Sequence, residues 1–224
     1  MCGRFSLTAN LTTVAQRFGV PIFTAESARW HPAYNIAPTK TVIVVSDDGT
    51  RSLTEMRWGL IPSWAKDPTI GNRMINARAE TVATKPAFRV ALRKRRCLVV
   101  ADGFYEWQQQ GRTKQPFHIA LKSGEPFGFA GLWDTWTAPD GGEIKNCTII
   151  TTEANEVLKP IHDRMPVILT REAEAVWLDP TIQDPAHLLP LLKLYPAQEM
   201  VAYPVSPWVN NPSHDAPECV LPLQ

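Results

Sequence analysis

Cysteine stands second in this chain, in the opening "MCGRF". A small second side chain permits removal of Met1, and Cys2 would then carry an α-amine and a thiol on adjacent carbons. An α-amine titrates near ~7.7–8.0, against ~10.4 for lysine, so about a tenth of it is neutral and nucleophilic near pH 7. Such an amine attacks an aldehyde to give an imine, as Schiff-base lysines do. The neighbouring thiol can then close onto the imine carbon in a five-membered thiazolidine. An arbitrary second residue is the competing reading of "MC".

Four further stretches hold residue types that could act beside Cys2. In "ADGFYEW" (101–107), a strand would put Phe104 and Glu106 on one face and Tyr105 and Trp107 on the other. A carboxyl among aromatics is desolvated, which raises its pKa and suits a general acid. The alternative is a strand-edge glutamate in water or paired with arginine. His162 in "PIHDRMP" (160–166) is a proton donor or cation by type, or a plain loop histidine. Asn76 and Arg78 in "MINARAET" (74–81) point the same way on an extended segment and could clamp a hydroxyl and a phosphate. A turn at Asn76 with Arg78 paired to Glu80 fits equally. "RWGLIPSWAKD" (57–67) sets Trp58 and Trp64 among cations, which is how single strands are gripped, and also how core tryptophans occur.

These residues need elements to position them. Apolar and β-branched runs at 41–46, 97–101, 117–121, 127–133, 147–152, 166–169 and 200–205 read as strands. Turns are expected at Asp48-Gly49, Asp102-Gly103 and Gly141-Gly142. Helices are expected at 9–18, at 86–95 with Pro86 in the first turn, and at 171–178 capped by Thr170. If the second helix buries Phe88, Ala91 and Leu92, then Arg89, Arg93, Lys94 and Arg96 form an exposed basic face, either solvated or facing nucleic acid. Strand follows strand with few helices between, and the twenty prolines disfavour long helices. The expected fold is α+β: a single β-rich domain over 1–224, mainly antiparallel strands in a curved or barrel-like sheet, with peripheral helices.

The 224 residues carry a net charge of +1, so anion binding must come from a local patch rather than the whole-molecule field. The hydrophobic fraction of 44% supports a core without metals or disulfides. Cys2, Cys97, Cys147 and Cys219 form no C-x-x-C pair and no zinc spacing, which points to a reduced, cytoplasmic protein without metal or cofactor. No signal peptide and no apolar run of membrane-spanning length is present.

Taken in order, eight stretches resemble the SOS response-associated peptidase (SRAP) family of abasic-site processing proteins: "MCGRF", "YNIAP" (34–38), "RWGLIPSW" (57–64), "NARAET" (76–81), "CLVVADGFYEW" (97–107), "ITT" (150–152), "IHDRMPVIL" (161–169) and "VSPWVNN" (205–211). The resemblance implies recognition of abasic sites in single-stranded DNA and covalent attachment to them. Cys2 matches the nucleophile, and Asn76, Glu106 and His162 match the other active-site positions. Arg4 and Arg78 match residues that hold the DNA backbone, with Trp64, Thr151 and Pro38 as further DNA-side positions. Some members carry two successive tryptophans where this chain has Trp64-Ala65. The implied chemistry is a thiazolidine crosslink that shields the lesion, with weak lyase and reversal activity, by a monomer associated with the nucleoid when bound. Two other readings stay open: an N-terminal cysteine peptidase acting on its own Met1, and a non-covalent single-stranded DNA-binding module.

Overall fold

The β-branched runs form strands, and short helices interrupt them. The computed structural model describes residues 2–21, 30–47 and 49–223. In chain order its main elements are β1 (Phe5–Leu7), α1 (Leu11–Phe18), β2 (Ala33–Ile36), β3 (Thr41–Asp47), β4 (Arg51–Trp58), β5 (Asn76–Arg78), α2 (Arg89–Lys94), β6 (Arg96–Ala101), β7 (Gly103–Gln110), β8 (Thr113–Leu121), β9 (Phe127–Thr137), β10 (Glu143–Glu153), β11 (Arg164–Pro166), α3 (Arg171–Leu178), α4 (Pro185–Leu188) and β12 (Met200–Pro204).

Strand β10 organises the molecule. It pairs antiparallel with β9 and parallel with β4, at Asn146↔Arg57 and Cys147↔Trp58. The antiparallel pairs β4–β3, β3–β6 and β6–β9 complete the circuit, so five strands close into a barrel. Closure removes the barrel's open edges. Beyond this circuit β10 passes its edges to two short strands. β5 joins one edge, from Ile149↔Asn76 to Thr151↔Arg78, and β11 the other, from Thr151↔Pro166 to Glu153↔Arg164.

A second, antiparallel sheet has the order β12-β8-β7-β1-β2. The chain passes from barrel to sheet through a single residue, Asp102. Asp102 accepts hydrogen bonds from Ser6 Oγ (2.8 Å), Thr8 Oγ1 (2.6 Å) and Ala9 N (3.0 Å), which ties the end of β1 to this corner. Gly103 has no room for a side chain, since a Cβ there would lie 2.2 Å from His118 Nε2. The expected Asp102-Gly103 turn is therefore a junction between sheets.

The two-residue period of the strands divides the core. Leu98 and Val100 of β6 pack with Val14 and Phe18 of α1, Leu92 of α2 and Trp177 of α3. Cys97, Val99 and Ala101 pack on the other side, with Phe5 and Phe104 of the second sheet. Phe5 meets Trp58 edge-on at 5.1 Å, and Phe104 meets Phe129 at 5.9 Å. Each such buried side chain contributes about 1.5–3 kcal/mol.

The expected fold is the observed one, with local corrections. Helix α3 has the expected limits and cap: Thr170 Oγ1 accepts from Ala173 N at 3.3 Å. Helix α2 is shorter than expected, and Pro86 lies in the turn before it. Because α2 stops at Lys94, Arg96 is not on its exposed face. It opens β6, is 5% exposed, and donates to the carbonyls of Leu92, Arg93, Trp177 and Asp179. One buried guanidinium thus closes two helix ends. The strand expected at 166–169 is β11 followed by irregular extended chain, which bridges β9 at Phe129↔Ile168. The Gly141-Gly142 turn joins β9 to β10. Asp48 of the expected Asp48-Gly49 turn lies outside the described residues. Among the described residues no helix is long and apolar enough to cross a membrane, and no group of three metal-ligating side chains occurs.

Candidate active site

Strand alternation on β7 sends Phe104 into the core between sheet and barrel, and Glu106 follows on the same face. Glu106 is 2% exposed, and Cys2 is fully buried in the same core. Burial pushes the Glu106 carboxyl up to about 7, against the opposing pull of the amino-terminal charge. Burial also pushes the Cys2 thiol far up, and the nearby Glu106 carboxylate adds to this. The thiol is therefore protonated at neutral pH.

Asn76 is placed by β5 alongside β10. Its Nδ2 donates to the Cys2 carbonyl oxygen at 2.7 Å, which holds the start of the chain against the barrel. Its Oδ1 is buried and has no hydrogen-bond partner among the described residues. A buried amide oxygen so placed can accept from a hydroxyl or an amine brought to Cys2.

His162 ends the turn between β10 and β11. Burial lowers its pKa, which keeps the ring neutral at pH 7. Arg164 N donates to His162 Nδ1 at 3.0 Å. The Asp163 carboxylate lies at the same 3.0 Å from Nδ1, but it is 86% exposed and well solvated. The backbone N–H is the fixed donor, so the ring proton belongs on Nε2. Arg164 itself is held by both oxygens of Glu80, at 2.6 and 3.0 Å, and by the Thr151 carbonyl at 2.8 Å.

Glu106 and His162 open on one cleft of about 450 Å³, whose other walls are Trp107, Lys114 and Asn210. A larger cavity of about 630 Å³, bordered by Trp30, Asn35 and Ile43, contains none of the residues expected to do chemistry. The fold thus gathers Cys2, Asn76, Glu106 and His162 from four separate segments. Glu106, a carboxyl that titrates near neutral pH, bears on the buried Cys2 thiol and shares a cleft with the neutral His162 ring, while the Asn76 amide holds the Cys2 carbonyl. This set can move protons at a carbonyl carbon without a metal.

The expected DNA-side residues are dispersed. Trp64 is 61% exposed beside Lys66 and Arg73, so it is a surface aromatic and not core. Arg78 is exposed on β5, and the Glu80 considered as its partner is bound to Arg164 instead. Arg4 faces inward: Nη1 donates to Asn35 Oδ1 (2.7 Å) and the Val209 carbonyl (3.0 Å). Thr151 is fully buried beneath Arg164, so its side chain supports the site from below. Pro38 is half-buried in the turn before β3, ahead of Thr39, which has a left-handed φ of 73°. No local sequence signal marks Trp107, Lys114 or Asn210 as a site residue, whereas Arg164 adjoins His162 in its charged loop. Trp107, Arg164 and Asn210 fall inside quoted motifs, while Lys114 lies outside them.

The family model described as SOS response associated peptidase (SRAP) matches residues 1–212. The chain is 48% identical to the abasic site processing protein YoqW of Bacillus subtilis (strain 168), over 98% of this chain and 99% of that one. It is 36% identical to the abasic site processing protein HMCES of Gallus gallus, over 88% of this chain and 68% of that one. A crystal structure of a Bacteroides thetaiotaomicron protein superposes with a TM-score of 0.90 at 30% identity, covering 100% of both chains. All eight motifs, Cys2 and every residue around the Glu106–His162 cleft lie within the matched span, so the chain belongs to the SRAP family.

Proposed function

We propose that this protein captures abasic sites in single-stranded DNA as a thiazolidine crosslink through Cys2, once Met1 has been removed. The observation that carries the reading is the convergence on Cys2. Asn76 holds its carbonyl at 2.7 Å, the Glu106 charge bears on its thiol, and the same Glu106 lines an open cleft with His162. The names of the relatives supply the substrate class.

An abasic deoxyribose opens in part to an aldehyde at C1′. Glu106, pushed up to about 7, gives a proton to the ring oxygen as the sugar opens. The neutral Cys2 amine then attacks C1′, water leaves, and an imine forms. The thiol adds across the C=N bond: sulfur bonds to C1′ and its proton ends on nitrogen, with Glu106 as carrier. The product has lost one water relative to its reactants. Asn76 Oδ1 and the His162 Nε2–H orient the open sugar. If the imine persists, loss of a proton from C2′ expels the 3′ phosphate, a weak lyase reaction. Protonation of the ring by Glu106 runs the capture backwards and releases DNA.

Protein mixed with a single-stranded abasic oligonucleotide is expected to give an adduct that survives heat and denaturing electrophoresis without added reductant. Its intact mass is the sum of both partners less one water. Cys2→Ala abolishes that adduct. Equal adduct formation by protein that retains Met1 would sink the amino-terminal scheme. A complex that falls apart on denaturation identifies plain binding instead.

A further inference from the structure

Trp107, Asn210 and Lys114, which line the cleft with Glu106 and His162, present hydrogen-bond donors. The Trp107 indole N–H can only donate, and it donates to Asn210 Oδ1 at 2.7 Å. The amide oxygen of Asn210 is thereby committed, and its Nδ2 hydrogens are left for an acceptor in the cleft that Asn210 lines. The segment is braced from behind. Arg4 Nη1 donates to the Val209 carbonyl at 3.0 Å, and the Arg4 guanidinium lies 5.9 Å from the Trp107 ring centre. Across the hairpin, exposed Lys114 of β8 brings its ammonium to the same cleft. Its charge reaches His162. A cation and an amide donor thus flank the opening that leads to Glu106 and His162.

We propose that Lys114 and Asn210 form a subsite for one backbone phosphate of the bound strand, adjoining the sugar held at Cys2. A phosphodiester matches the pair: a permanent anion with acceptor oxygens, fixed one bond away from the deoxyribose. Arg4, half-buried behind the wall, acts as a positioning residue for this subsite. The proposal rests on the reading that the cleft receives a DNA strand, but not on the covalent chemistry.

The test uses the full chain and a single-stranded oligonucleotide with tetrahydrofuran at the lesion position, which has no aldehyde and cannot be captured. Equilibrium binding is measured against salt for the wild type, Lys114→Ala and Asn210→Asp. Lys114→Ala is expected to reduce the magnitude of the log–log salt slope by about 0.7, the value for one phosphate on a single strand. Binding should weaken about tenfold, as for loss of one charged hydrogen bond. Asn210→Asp keeps an acceptor for Trp107 but turns a carboxylate toward the phosphate, so it should weaken binding with unchanged thermal stability. Neutral methylphosphonates are then placed singly along the strand. At one position next to the lesion the methylphosphonate should weaken wild-type binding and leave Lys114→Ala unaffected. Slopes equal for wild type and variant, with additive effects at every position, overturn the proposal. Failure of the covalent reading would show separately, as no adduct from the wild type with a true abasic oligonucleotide.

Discussion

Among the described residues two glutamates are almost wholly withdrawn from water, and they do opposite things. Glu174 on α3 is 6% exposed, and Arg17 of α1 grips both its oxygens, at 3.0 and 2.8 Å. Glu106 on β7 is 2% exposed and sits between a buried thiol and an open cleft. Burial raises both carboxyls. At Glu174 the guanidinium offsets it and locks two helices together. At Glu106 the carboxyl is left near 7, where it can give and take protons at neutral pH. The histidines divide in the same way. His118 is 5% exposed and fixed between Ser6 Oγ (3.1 Å) and Tyr203 Oη (3.0 Å), while His162 reaches the cleft. Burial alone therefore does not mark a functional group. Burial at the wall of an open cleft, where a substrate can reach the group, does.

The comparison is broken most easily at Glu106. Glu106→Gln is expected to slow adduct formation by about 10²–10⁴, the usual share of a general acid–base group, while the protein stays folded. A quenched time course on denaturing gels measures it, and an unchanged rate would place the proton transfers elsewhere. Glu174→Ala should do the reverse. It strands Arg17 in the core and should cost about 3–5 kcal/mol in denaturant unfolding, with the adduct rate unchanged wherever the variant is folded.

The pH dependence sharpens the contrast. An unfolded glutamate loses its proton near 4.5, whereas folded Glu106 keeps it until about 7. Between those values the folded state binds more protons, so this group's contribution falls as pH rises. The difference in stability between Glu106→Gln and wild type should grow in favour of the variant by about 3 kcal/mol from pH 4.5 to pH 8. Parallel stability curves would mean that Glu106 titrates normally. The smallest expected effect is on the fold in His162→Gln. The half-buried ring lies in a turn, so unfolding free energy should change by less than about 0.5 kcal/mol. Adduct formation should slow clearly, and a variant that lost stability instead would assign His162 a structural role.

Much of this was legible in sequence wherever a local rule governed. Two-residue alternation put Glu106 with Phe104, and the Thr170 cap set α3 to the residue. Where one local rule was carried past its element it failed. Arg96 looked like a helix-face cation, but α2 ends two residues earlier and β6 draws the side chain into the core. The short strands β1, β2 and β5, of three or four residues, hold too few residues for a pattern to appear. Lys114 had nothing beside it in sequence to signal a role, because its partners in the cleft come from β7, the turn before β11 and the C-terminal segment.

By itself the sequence determined the residue types, the strand-rich class and the motifs that identify the family, since these depend on composition, period and order. Only the tertiary structure decided which glutamate is pushed to neutral pH, which arginine is buried and which lysine borders the cleft. Desolvation and charge pairing are set by neighbours far apart in the chain, and those neighbours meet only when the barrel closes and the second sheet folds against it.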